Sequence, residues 1–293
     1  FLTNHLFFKL RLHLQKSVWH HSFKMLFSLL KKSYFTILSI FLGYAILCLY
    51  YYLNQVNIIF PASRIDTDTE FTFTIDHQEL FIDTPDGARL HGVLFRAIKP
   101  KGVILHFHGN AENMLSMQYA AEPFVDRNYS FLAMDYRSYG KSSGELSEEN
   151  LFADAALFLE YLKKAGWESS KIILYGRSIG TGVAIQLASK ADLGGMILYA
   201  PFYSLTDLAD YHFPLLPSDL LLKFPMDSAS YLNGVKAPVL ILHGSDDRII
   251  PLDQAEGLAR IKGKLVVLIN GRHNDLYGHE KFWFEIDTFL AGI

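Results

Sequence analysis

The stretch Ile172-Ile173-Leu174-Tyr175-Gly176-Arg177-Ser178-Ile179-Gly180 places a serine between two glycines directly behind an apolar run. The run reads as a buried strand, and Thr181 to Lys190 behind it carries apolar residues at helical spacing with no proline. Strand, sharp turn and helix are the setting in which G-x-S-x-G becomes a nucleophile elbow. The serine is held in a strained conformation, and the glycines let neighbouring backbones pass close to it. A helix starting there also directs unpaired N–H groups and a positive dipole end toward the place where an oxyanion would form. Ser178 is the expected nucleophile.

A serine of this kind needs a base, and the base needs an orienting carboxylate, in the chain order serine, acid, histidine. Val239 to Leu242 reads as a buried strand running into His243-Gly244-Ser245-Asp246-Asp247-Arg248-Ile249-Ile250-Pro251. Asp247 is the favoured acid; Asp246 in the same loop and Asp207, beyond the strand Met196 to Tyr199, are alternatives. A further strand, Lys264 to Ile269, leads into Asn270-Gly271-Arg272-His273-Asn274-Asp275, which sets His273 on a loop where a general base belongs. Asp275 lies too close to His273 in the chain to serve it without folding back, and reads as a loop-bracing carboxylate.

Acyl-transfer chemistry also needs oxyanion donors. Val103 to Phe107 reads as a strand that runs into His108-Gly109-Asn110-Ala111-Glu112-Asn113, where glycine lets the loop bend toward the elbow. The expected donors are the backbone N–H groups of Asn110 and Ile179. His106 and His108 share a strand face, as a metal pair would, but no third ligand at plausible spacing accompanies them. No metal and no cofactor is expected.

Together, H-G-N-A-E-N at 108–113, D-Y-R-S-Y-G at 135–140, G-R-S-I-G at 176–180, H-G-S-D-D-R-I-I-P at 243–251 and G-R-H-N-D at 271–275 resemble the ordered motifs of the α/β-hydrolase superfamily. The resemblance is to its membrane-anchored branch, with acyl-protein thioesterases, lysophospholipid or monoacylglycerol lipases and serine aminopeptidase-like proteins, and it covers roughly Phe71 to the C-terminus. Ser138 stands where that pattern usually has glycine, and Arg272 stands where glycine commonly precedes the histidine; neither is a triad position. The resemblance implies an α/β-hydrolase fold and an esterase, lipase or thioesterase activity.

The remaining chain is consistent with an α/β fold. Phe71–Ile75, Gln78–Thr84 and Leu90–Ala97 read as antiparallel strands, after which strands alternate with helices, as in a mostly parallel sheet covered on both faces. Residues 203–236 break the alternation with Pro214, Pro217 and Pro225 among aromatics and leucines. This segment reads as a small lid or pocket wall whose apolar lining favours acyl chains, or else as an ordinary crossover.

With 293 residues, half of them hydrophobic, the chain can bury one large core, so a single hydrolase domain over 71–293 uses its folding capacity. Between Lys32 and Arg64 there is no charged residue or histidine, and 34–53 is long and apolar enough to span a bilayer as a helix. No small-residue cleavage site follows, so an uncleaved anchor is expected, with 54–70 as a linker. A fragment from Arg64 is then expected to carry the chemistry. Residues 1–33 form a basic segment: Lys9, Arg11, Lys16, Lys24, Lys31 and Lys32 precede the span without a single acid, which places the N-terminus in the cytoplasm and the hydrolase on the extracytoplasmic side. Because the chain opens on Phe1, residues 1–24 are read as an extension upstream of a native start at Met25. The rest of the chain has 21 basic against 30 acidic residues, which argues against nucleic acid as a partner. The expected partners are the membrane and an acyl ester, thioester or lipid substrate. Two other readings stay open. A serine peptidase would need a pocket for a free amino terminus, and no cluster of acids near the loops clearly offers one; a catalytically silent scaffold would have no use for the triad.

Overall fold

The computed structural model describes the backbone of residues 2–293, with side chains at His13 and from Trp19 onward. Phe1 and the side chains of Lys9, Arg11 and Lys16, part of the basic segment read above, lie outside the described residues. The chain divides into two units, Phe1–Leu53 and Asn54–Ile293. The first is helical and belongs to α1 (Leu2–Ile59), of which Trp19–Ile59 is long and apolar enough to cross a membrane. Among its described side chains most of the large apolar ones are exposed, Ile37, Ile40 and Phe41 among them.

The second unit is built on an eight-stranded sheet. In chain order its elements are β1 (His77–Asp83), β2 (Arg89–Phe95), β3 (Gly102–Phe107), α2 (Met117–Asp126), β4 (Tyr129–Met134), α3 (Glu148–Lys164), β5 (Ile172–Arg177), α4 (Ile179–Lys190) and β6 (Gly195–Tyr199). They continue with α5 (Leu205–His212), α6 (Ser218–Leu221), α7 (Ser228–Leu232), β7 (Val239–Gly244), α8 (Leu252–Ile261), β8 (Lys264–Leu268) and α9 (Glu280–Ala291). The strand order is β1-β2-β4-β3-β5-β6-β7-β8, antiparallel across β1-β2-β4 and parallel from there on. Strand side chains alternate between two cores, as a period of two requires. Val103, Leu105 and Phe107 face α3, α4, α7 and α8, whereas Ile104, Ile173 and Tyr175 face α2 and α9. The order reverses between β3 and β5, so the chains leaving their carboxyl ends run to opposite faces of the sheet, and such a switch point is the place where open α/β sheets carry their sites.

Two expectations need correction. Phe71–Ile75 is not a strand: Phe71 stacks on Phe73 and on His91, and the Thr74 N–H donates to Gln118 Oε1, a side-chain partner in place of a ladder. The stretch 54–70 does not hang free as a linker. Gln55 is buried, donating from Nε2 to the Leu221 carbonyl (3.0 Å) and accepting from the Lys223 N–H (2.7 Å). Phe60 is 2% exposed, with its ring 4.9 Å from that of Phe224; the Ile65 N–H donates to the Gly140 carbonyl, and the Gly140 N–H donates to the Ser63 carbonyl.

Candidate active site

β5 ends at Arg177 and α4 begins at Ile179, so Ser178 alone carries the turn between them. Its φ of 51° and ψ of −120° lie where a non-glycine residue is strained. The strain is held by neighbours: the Ser178 N–H donates to the Tyr199 carbonyl (2.9 Å), and the Ser178 carbonyl accepts from the Thr181 N–H and hydroxyl. At Gly180 a Cβ would fall 2.1 Å from the Phe107 carbonyl oxygen, so only glycine lets the first turn of α4 lie against the end of β3. Ile179, as the first residue of α4, has no acceptor for its N–H inside the helix.

The structure brings Ser178, His273 and Asp247 together. His273 Nε2 is 3.0 Å from Ser178 Oγ, and His273 Nδ1 is 2.7 Å from Asp247 Oδ2. A carboxylate only accepts, so Nδ1–H donates to Asp247 and the Nε2 lone pair faces the serine hydroxyl, a tautomer inferred from the network. Asp247 Oδ1 accepts the N–H groups of Ile249 and Ile250, both at 2.9 Å, which fixes the carboxylate. Burial alone would raise its pKa; the bond from His273, the charge it faces and the Ile250 amide outweigh this and hold it below the ordinary value. His243, packed behind it, is pushed down by burial and remains neutral near pH 7, with Nε2 bonded to the Ile250 carbonyl at 2.9 Å. The acid and histidine loops meet because Gly244 has no side chain: a Cβ there would lie 2.2 Å from the Gly271 carbonyl oxygen.

The other candidate acids turn elsewhere. Asp246 accepts from Ser245 Oγ, Asp207 accepts the hydroxyl of Ser204, the N-cap of α5, and Asp275 accepts from the N–H and Nε of Arg272, bracing the loop. His106 and His108 do not converge on a common point: His106 Nδ1 bonds the Tyr175 carbonyl and His108 Nδ1 the Gly109 carbonyl.

The loop after β3 is pinned from several sides. Tyr136 and Tyr139 donate their hydroxyls to the carbonyls of His108 and Asn110, each at 2.7 Å. Burial raises both phenols above their usual range, so they remain donors. The Asn110 side chain donates to the Ile59 carbonyl at 3.3 Å. Glu112 Oε2 accepts the Gly109 N–H at 2.7 Å, and its Oε1 takes NH1 of Arg177. Glu112 and Arg177 were not singled out from the sequence. The available signal was an acid inside the H-G-N-A-E-N loop and a base at the variable position of the elbow, two opposite charges in motifs that had to converge.

The segment 203–236, expected as a lid or a crossover, carries three short helices, α5, α6 and α7. They border a cavity of about 550 Å3 lined by Asp207, Asp210, Asp219 and Asp227 as well as Tyr203 and Pro225. This lining is carboxylate-rich, whereas Tyr211, Leu215 and Leu220 are exposed.

Residues 98–224 match the family model described as "Serine aminopeptidase, S33". Protein bem46 of Schizosaccharomyces pombe is 30% identical over 260 residues, covering 82% of this chain and 87% of that protein. The alpha/beta hydrolase domain-containing protein aho-3 of Caenorhabditis elegans is 38% identical over 195 residues, 64% of this chain and 57% of that one. The chain belongs to the α/β-hydrolase superfamily. Among solved structures, the Pyrococcus furiosus esterase Pf2001 superposes with a TM-score of 0.65 at 20% identity, over 78% of this chain and 98% of that one. In this α/β hydrolase the loops after β3, β5, β7 and β8 open on one edge of the sheet, and the site residues come from all four.

Proposed function

We propose that this α/β hydrolase is a membrane-anchored serine hydrolase cleaving carboxylic ester or thioester bonds of acyl or lipid-like substrates. The observation that carries the reading is the pair of contacts at His273, 3.0 Å to Ser178 Oγ and 2.7 Å to Asp247 Oδ2. His273 takes the serine proton as Ser178 attacks the carbonyl carbon, and the N–H groups of Asn110 and Ile179 receive the oxyanion. Asp247 holds the imidazole in the tautomer that accepts at Nε2 and stabilises the imidazolium that forms. His273 then returns the proton to the leaving group, and water activated by the same imidazole releases the acyl chain from Ser178. The apolar helix Trp19–Ile59 supports the anchor, with the N-terminus cytoplasmic and the hydrolase on the far side. Tethering raises the local concentration of lipid or lipidated substrates. The esterase Pf2001, which shares the fold, is in keeping with the ester reading.

A fluorophosphonate probe on the full chain tests the chemistry: wild type becomes labelled and Ser178→Ala does not. Equal labelling of the two removes Ser178 from the mechanism, and a silent scaffold leaves both unlabelled. The match to the serine aminopeptidase family favours one second reading, a serine peptidase. Comparing turnover of short-chain esters, acyl thioesters, long-chain acylglycerols and aminoacyl amides separates them, and dominant amide turnover sinks the esterase assignment.

A further inference from the structure

We propose that Arg177 is a positioning residue that holds the nucleophile, oxyanion and histidine loops in register, an inference that rests on the serine-hydrolase reading above. Arg177 fills the variable position of G-x-S-x-G and is covalently joined to Ser178. Its NH1 donates to Glu112 Oε1, while the other oxygen of that carboxylate accepts the N–H of Gly109, the residue before Asn110. Its NH2 donates to Asn274 Oδ1 at 2.8 Å, and Asn274 follows His273. Arg177, itself the neighbour of the nucleophile, is therefore tied through Glu112 to the residue before an oxyanion donor and directly to the residue after the base.

Two features make this a positional device and not a stray surface pair. The Arg177 side chain is 12% exposed and that of Glu112 24%, so both charges are largely withdrawn from water, and losing either partner strands the other. Glu112 is held below the ordinary carboxylate range although its burial opposes this, because the Arg177 guanidinium faces it. The guanidinium also lies 5.2 Å from the centre of the Tyr199 ring, whose hydroxyl accepts the Leu276 N–H of the histidine loop at 3.3 Å. A fork of donors in fixed geometry can serve two acceptors on separate loops at once; the single ammonium of lysine offers charge without that fork.

The chemistry explains why register matters. The proton acceptor, the attacking oxygen and the oxyanion donors must keep their spacing as the transition state forms, and a misplacement of about 1 Å lowers the rate by roughly 10²-fold. The effect falls on kcat, because the substrate still docks while the reacting groups are misaligned.

The test uses the full chain in detergent with a short-chain ester, reading kcat, KM and the end-point stoichiometry of fluorophosphonate labelling. Arg177→Met is expected to lower kcat by about 10²-fold, and the surface substitution Asn274→Ala by about tenfold, with KM within about twofold of wild type and labelling slower yet complete. Arg177→Lys is expected to recover less than about a tenth of the lost rate, since it restores charge alone. Should Arg177→Met fail to fold, Asn274→Ala decides by the same criteria. The proposal is overturned if these variants keep kcat within about twofold, or if their loss of rate merely matches a smaller labelled fraction, which marks fewer folded molecules. A wild-type chain that takes up no probe overturns instead the hydrolase reading beneath it.

Discussion

At the scale of single residues, the site is decided by what each polar group has for a partner. Asp247 uses both oxygens on fixed donors, and Ser178 is strained into the turn by bonds on either side of its own peptide. His106, one strand away, is the opposite case. Burial lowers its pKa to about 3, its Nδ1–H donates to the Tyr175 carbonyl, and its ring stacks on Tyr175. In the unfolded chain the same group titrates near 6.5, so between about pH 3 and 6.5 the unfolded state binds a proton that the folded state refuses. Stability must rise with pH across that window, by up to about 1.4 kcal/mol per pH unit from this residue. Denaturant unfolding at several pH values between about 4 and 7 checks it. His106→Gln should flatten the slope, and identical slopes in both proteins would exclude His106 as its source.

At the scale of elements, two glycine contacts bring the loops close enough to react. Gly180 seats α4 on the end of β3, and Gly244 lets the loops after β7 and β8 touch. Gly180→Ala puts a methyl 2.1 Å from the Phe107 carbonyl oxygen, where backbone and not a pliable side chain stands in the way. The first turn of α4 has to shift, taking Ile179 N–H away from the carbonyl it is expected to polarise. The expected result is a loss of at least about 10²-fold in kcat, as for a lost oxyanion donor, with a destabilisation of about 1–3 kcal/mol. Ester turnover and thermal unfolding of the variant measure both. Unchanged turnover would detach this contact from catalysis.

At the scale of the whole molecule, the hydrolase unit begins at Asn54, before the end of the apolar helix. Phe60 and Gln55 belong to its packing, and deleting a buried phenylalanine contact typically destabilises by about 3–5 kcal/mol. A soluble fragment beginning at Asn54 should therefore melt about 6–20 °C above one beginning at Arg64. Equal melting temperatures would show that 54–63 adds nothing to the fold. The boundary escaped the sequence because an apolar residue that meets lipid and one that meets Phe224 have the same composition. The approach of Asp247 and His273 to Ser178 was legible in order and spacing: a serine elbow, then two polar residues on loops beyond strand ends, since local periodicity marks strands and glycine marks where they turn. The Arg177, Glu112 and Asn274 contacts, the carboxylate-lined lid cavity and the packed stretch 54–65 did not follow. Periodicity and turn chemistry set the alternation of strands and helices from β3 onward and the residue types that meet at the sheet edge, because these depend on near neighbours in the chain. Which distant groups pair, and which side chains are covered, came from the folded arrangement, because those contacts join residues 65 to 97 positions apart, and for Gln55 and Leu221 more than 160, and no local pattern encodes such a distance.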